Sequence, residues 1–424
     1  MEMNDAPTGE FRHGWPAVAG TFLILTMGFG SAYSFGTFFA PLEDEFGASR
    51  AAVSVAFSAA ILVLFSVGPF SGTVADHLGP RVLVSGGLIL VGCGLIIASV
   101  SQALWQVQAA FAICIGGGVG LAYVPAVGAV QKWFHRRRGL ASGIAVSGIG
   151  AGTLAVPPFA ALMIAQLDWR LALLVVGAVV VAVGGASGLL VTNPRGQTGL
   201  SSAQAQSDAG VHLSLAIRSR PFFLLFLGFL LASFGQFTPI AHIVPYAEDR
   251  GISPQTAAVL LSLLGGGSAV GRFAIGSAAD RLGRWRGLGL SFGGVGISCV
   301  LWLAGDGMIV LGIFAVLVGV FWGGSVALAP SVMADYFGTR AVSGIIGVLY
   351  AGVGCGALVG PIIAGLVFDL WQSYTVAIVY SIIAPVLAAV AVLSAESPEG
   401  WRLRHASEDW STNPYPTQPA DRHP

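Results

Sequence analysis

Arg272 is the residue around which any chemistry in this chain has to be organised. It lies in an apolar stretch, Thr256 to Ala279, long enough to cross a bilayer. A guanidinium in hydrocarbon is costly unless it faces a cavity and meets an anion. No Asp or Glu falls deep in any other apolar stretch, so the counter-ion left for it is an anionic substrate. The planar arginine fork grips a carboxylate through two parallel hydrogen bonds, which lysine reproduces poorly. At ~1.5 Å of rise per residue, Arg272 stands about 12 Å from Asp280, near the middle of a hydrocarbon layer about 30 Å thick. Ser268, Gly265 and Gly276 share its helix face and are expected to leave room beside it.

Few other polar groups enter the apolar stretches. His242 is the only histidine in one. Its titration range makes it the candidate carrier of a coupled proton, although a structural, hydrogen-bonded imidazole fits it equally. Pro239 and Pro245 flank it and are expected to break the helix there, as gates do. Gln236 either lines a cavity or joins two helices by a hydrogen bond. The hydroxyl of Tyr123 serves either a ligand or a neighbouring backbone group. Tyr33, Phe57, Phe321, Trp322 and Tyr350 are available to wall a pocket, or to face lipid or core. An apolar wall suits a short-chain or aromatic monocarboxylate better than a sugar. Neither a nucleotide-binding loop, a metal cluster nor a catalytic triad is found in these stretches, so no enzyme, cofactor or metal is expected. Cys93, Cys114, Cys299 and Cys355 all lie within them and read as small packing residues.

The elements that must position these groups follow from composition. The 424 residues are 55% hydrophobic and 9% charged, against about 25% charged in soluble domains. This is an all-α integral membrane protein. Twelve apolar runs are long enough to span, at 15–39, 51–75, 82–101, 105–131, 139–165, 171–192, 221–246, 255–279, 287–304, 308–334, 341–368 and 374–395. They are continuous rather than alternating, which excludes a β-barrel. Segments on the side of the termini carry 16 of the 20 Lys and Arg, while Arg50, Arg170 and Arg250 lie opposite. That bias places both termini in the cytoplasm. A polar N-terminal tail, 1–14, has no signal-peptide architecture. Residues 193–220 read as a flexible cytoplasmic linker between bundles at 15–192 and 221–396, and 397–424 as a disordered tail.

The two bundles repeat each other at an offset of about 204 residues. Gly72-Thr-Val-Ala-Asp76-His-Leu-Gly79 matches Gly276-Ser-Ala-Ala-Asp280-Arg-Leu-Gly283. Gly148, Gly150, Gly152 and Pro157 map onto Gly352, Gly354, Gly356 and Pro361. Repeated halves imply a pseudo-two-fold axis with a cavity between them, the geometry of secondary transport.

The loop Gly72 to Arg81 and its echo Gly276 to Arg284 resemble the signature of the major facilitator superfamily. Tyr33-Ser-Phe-Gly-Thr-Phe-Phe, Glu45-Phe-Gly-Ala-Ser-Arg50, Trp133 to Gly143, and Gly271-Arg272 are similar to its monocarboxylate transporter and oxalate/formate antiporter group. The resemblance implies twelve transmembrane helices in two pseudo-symmetric six-helix bundles. It makes Tyr123 a second ligand for a substrate carboxylate. It makes Asp76, Arg81, Asp280, Arg281 and Arg284 a cytoplasmic latch. The single lysine, Lys132, lies in a loop and Ser268 stands where several members carry aspartate. The missing second cation favours a monocarboxylate over a dicarboxylate.

The expectation is a monomeric secondary transporter of a small organic monocarboxylate, working by alternating access in a bacterial-type plasma (inner) membrane. Proton symport, through His242 or the substrate carboxyl, is the coupling expected; exchange of carboxylates, which needs no protonatable group, is the alternative. A non-transporting anion sensor is the reading from a different class. Lipid, the anion and a proton are the partners; nucleic acid is not.

Overall fold

The computed structural model describes residues 14–134, 138–192, 210–305, 307–338 and 340–405, apart from the side chains of Asp76, Arg138, Asp280 and His405. Among these residues twelve helices are long and apolar enough to span a membrane. In the first half they are α1 (Trp15–Phe46), α2 (Arg50–Leu78), α3 (Pro80–Ser99), α4 (Leu104–Trp133), α5 (Arg138–Gln166) and α6 (Trp169–Gly188). The second half holds α7 (Arg220–Glu248), α8 (Pro254–Leu282), α9 (Arg284–Ala304), α10 (Met308–Phe337), α11 (Val342–Trp371) and α12 (Thr375–Leu393).

The internal repeat survives as geometry. The same step of 204 residues (254 − 50, 284 − 80, 342 − 138) separates the starts of α2 and α8, α3 and α9, and α5 and α11. Gly79 and Gly283 end α2 and α8 at φ 83° and 91°, a region open to glycine at little cost. Each N–H donates to the alanine carbonyl four residues back, Ala75 or Ala279, at 2.9 Å. The last glycine of the repeated motif is therefore a chain-reversal residue.

The halves meet where α2 packs on α11 and α5 packs on α8. Lipid is as apolar as leucine, so close backbone packing rather than hydrophobic exclusion holds such helices together. Gly148 and Gly152 of α5 seat against the carbonyls of Phe22 and Thr26 in α1, and Gly267 and Gly271 of α8 against those of Val316 and Val320 in α10. A Cβ at Gly271 would overlap backbone, whereas one at Gly276 meets nothing within 4 Å. Gly271→Ala is expected to lower the thermal stability of the purified protein by about 1–3 kcal/mol. Gly276→Ala is expected to be neutral or up to ~1 kcal/mol stabilising, since alanine is the better helix former. Equal melting shifts for the two would remove close packing as the cause. Apolar side chains such as Phe70, Ile97, Val270 and Ile309 are exposed on the outer flanks, where hydrocarbon would meet them.

Three expectations change. Pro239 and Pro245 do not break α7, which runs unbroken from Arg220 to Glu248. The interruption falls in α1 instead, at Ser34 between Trp15–Tyr33 and Phe35–Phe46. Ser34 Oγ donates to the Ser31 carbonyl at 2.9 Å, taking up backbone freed at the break. The linker is structured at its end: Val211 N donates to the Phe337 carbonyl at 3.0 Å, and Leu213–Arg218 is helical. The C-terminal tail also starts later than its prolines suggest, because Pro398–His405 forms a helix that buries Trp401 against Phe337, with ring centroids 5.2 Å apart. Residues 1–13, 193–209 and 406–424 lie outside the described residues.

Candidate functional site

A cavity lies between the halves, and Arg272 is in its wall. The arginine reaches across the domain boundary: its Nη1 donates to the Val146 carbonyl of α5. Arg272 is buried and its Nε has no hydrogen-bond partner. Among the described residues, no Asp or Glu lines this cavity. Sequence placed a cation here on depth alone, and the fold brings it to the domain boundary.

Tyrosine bonding sharpens the picture. Four of the described tyrosines satisfy their hydroxyls: Tyr246, Tyr336 and Tyr380 on backbone carbonyls, and Tyr374 on Arg50 and His242. The other three are Tyr33, Tyr123 and Tyr350, whose hydroxyls find no protein partner among the described residues, and all three line the cavity with Arg272. Buried hydroxyls are ordinarily paired. Here three hydroxyls line the same cavity as a guanidinium whose Nε–H is unmet, a donor set that could hold an anion. Gln236 adds an amide whose Oε1 is buried and unpaired.

The remaining wall is aromatic and apolar. Tyr33 packs on Trp322 with centroids 5.4 Å apart, Phe29 on Tyr123 at 5.5 Å and Phe65 on Tyr350 at 5.3 Å. Phe237 and Phe229 complete it from α7. Tyr350 belongs also to the wall of a second opening on the side of the termini, lined by Pro69, Gly72, Val124, Lys132 and Ser343.

The opposite end is closed by charge. Arg50, at the start of α2, is 7% exposed and makes a two-pronged ion pair with Asp249 of α7, at 2.6 and 2.7 Å. Its Nε donates to Glu43 at 3.2 Å, its Nη1 to Tyr374 Oη at 2.9 Å, and its guanidinium stacks 3.8 Å from the centre of the Phe368 ring. Asp369 of α11 accepts from the backbone N–H groups of Arg50 and Ala51 at 2.8 and 2.9 Å, capping the free amides of α2 from the other half. Beneath this cluster His242 bonds the Pro361 carbonyl at 2.9 Å, Ser54 Oγ at 3.1 Å and Tyr374 Oη at 3.1 Å. Each of these groups ties one half to the other except the contacts internal to a bundle, Arg50 with Glu43 and His242 with Pro361 and Tyr374.

The sequence profile of the Major Facilitator Superfamily matches residues 21–303 and 225–419. The chain belongs to this superfamily. Its similar proteins include Monocarboxylate transporter 12-B of Danio rerio, 30% identical over 393 residues that cover 85% of this chain and 82% of that one. Monocarboxylate transporter 13 of Rattus norvegicus is 28% identical over 387 residues, covering 89% and 87%. A solved bacterial homolog of the human lysosomal transporter Spinster, inward-facing and unoccupied, has the same fold, with a TM-score of 0.70 at 15% identity over 90% of this chain and 97% of its own.

In this superfamily member the cavity gathers six residues expected from sequence: Arg272, Tyr123, Gln236, Tyr33, Trp322 and Tyr350. Two others are elsewhere. Ser268 packs its backbone under Gly319 and Gly323 of α10, and the ring of Phe321 covers Gly294 of α9. Gly265 likewise abuts Thr153 rather than leaving room. His242 lies in the cluster under Arg50, not in the cavity wall. Of the latch residues, Arg284 bonds Asp335 at 3.2 Å within its own half, and Arg81 and Arg281 are exposed. The side chains of Asp76 and Asp280 lie outside the described residues. Sequence reasoning missed Phe29, although it stands four residues before Tyr33 on one helix face, and Phe65 and Phe237. It also took Arg50 for a topology marker; the signal available was its isolation among acidic residues at Glu43, Asp44, Glu45, Glu248, Asp249 and Asp369.

Proposed function

We propose that this transporter moves a small organic monocarboxylate across the membrane by alternating access, with Arg272 as the anion receptor. The supporting observation is an unmet Arg272 Nε–H in a cavity whose wall also holds Tyr33, Tyr123 and Tyr350. Relatives named as monocarboxylate transporters support the same substrate class. With the termini cytoplasmic, as the lysine and arginine bias indicates, the opening past Tyr350 faces inward and the Arg50 cluster seals the outside.

Exchange of one carboxylate for another is the coupling the cavity favours. Among the described residues it offers no carboxylate to hold a proton beside the substrate, and an unneutralised guanidinium opposes the return of an empty carrier. Symport would have to carry its proton on the substrate or through His242, which lies outside the cavity. Purified protein in liposomes preloaded with unlabelled carboxylate is expected to take up labelled carboxylate at least tenfold faster than empty liposomes do. Uptake driven by an inward proton gradient into empty vesicles at the same rate would replace exchange by symport. Saturable binding without flux under either gradient would make the protein a sensor.

A further inference from the structure

We propose that the substrate is an aryl-bearing hydroxycarboxylate, whose hydroxyl is read by Gln236. The inference rests on the carboxylate reading and refines it. Three observations carry it. Gln236 is only 6% exposed, lines the cavity and keeps its Oε1 buried without a partner. An unmet buried acceptor asks for a donor; with the tyrosine hydroxyls and Arg272 given to the carboxylate, which is acceptor-only, that donor is a second group on the substrate. The wall of the cavity is also aromatic, built from rings such as Phe29, Phe65, Phe237 and Trp322. A ring on the substrate finds edge and face partners there.

The donor is a hydroxyl rather than an ammonium. Among the described residues neither Asp nor Glu lines the cavity, so an amino acid would bring a second buried cation beside Arg272 with no protein counter-charge. A hydroxyl supplies its proton to Gln236 Oε1 at no electrostatic cost. It also leaves the carboxylate free for the guanidinium and the tyrosine hydroxyls.

The test is calorimetric binding to the purified full chain of 3-phenylpropanoate, its two hydroxylated forms (2-hydroxy-3-phenylpropanoate and 3-(4-hydroxyphenyl)propanoate) and phenylalanine. Wild type is expected to bind at least one hydroxylated acid about tenfold more tightly than the parent, since an unmet buried acceptor is satisfied only by the former. Phenylalanine is expected to bind at least tenfold more weakly than 2-hydroxy-3-phenylpropanoate. In Gln236→Leu the hydroxylated acids and the parent are expected to fall within about twofold of each other. Equal wild-type affinities, a preference retained in Gln236→Leu, or phenylalanine bound as well as its hydroxy analogue would overturn the proposal while leaving Arg272-dependent carboxylate binding intact. No binding of any of these acids to wild type would sink both readings. Should Gln236→Leu lose every acid, Gln236→Met is compared in the same way, and loss of all binding there too overturns a hydroxyl-reading role.

Discussion

Arg272→Lys is expected to weaken carboxylate binding by about 10- to 100-fold and to slow exchange in proportion. One Nη of Arg272 is committed to the Val146 carbonyl, while the Nε edge is left for the ligand. Lysine places a single ammonium on a flexible stem and cannot both hold that carbonyl and present a planar edge to a carboxylate. Loss of one charge-assisted hydrogen bond costs about 1.5–3 kcal/mol, which converts to the stated range. The lysine variant retains the charge, so a purely electrostatic role would leave affinity nearly intact. Calorimetric binding of 3-phenylpropanoate, run beside counterflow in liposomes, separates the two. Wild-type affinity in Arg272→Lys would eliminate the fork geometry as the basis of recognition.

Arg50→Ala is expected to open the closed end. The substitution removes an ion pair to Asp249, a hydrogen bond to Tyr374 and a stacked contact on Phe368. It also strands two carboxylates side by side. Asp249 and Glu43 keep 29% and 28% of their side-chain surface accessible, so water screens part of the penalty and the loss is on the order of 2–3 kcal/mol. That is enough to shift a two-state equilibrium by about 30- to 100-fold. Ser54 lies directly under the cluster, where its hydroxyl contacts the Arg50 carbonyl at 2.6 Å. In a background without Cys93, Cys114, Cys299 and Cys355, a Ser54→Cys reporter is expected to react slowly with a membrane-impermeant maleimide when Arg50 is present and at least tenfold faster in Arg50→Ala. Adding Asp249→Ala should recover part of the slow labelling, because the stranded acid is then gone. Identical labelling with and without Arg50 would show that helix packing, not charge, shuts this end.

Much of this site was legible before any coordinates, for a specific reason. A charge in hydrocarbon is so unfavourable that Arg272 announces itself from hydropathy alone, and the mid-span tyrosines and Gln236 stand out against the same apolar background. Phe321 and Trp322 were indistinguishable on those grounds. Adjacent residues on a helix point about 100° apart, and only the packing of α10 against α8 and α9 turns Trp322 to the cavity and Phe321 onto Gly294. Likewise Ser268 and Arg272, one turn apart, share a helix side, yet the approach of Gly319 and Gly323 takes up the room around the serine.

What the chain by itself determined was the solvent it lives in, the number of spans, the two-fold repeat and the depth of the arginine in its eighth span. Those properties depend on local hydropathy and on residues near in sequence. Tertiary structure alone decided which polar groups are already satisfied. It gave His242 and Tyr374 to the cluster around Arg50, 188 and 324 residues from their partners in α2, and it set Tyr33, Tyr123 and Tyr350 in the cavity wall. Hydrogen bonding is a matter of ångströms between distant segments, and hydropathy carries no record of it.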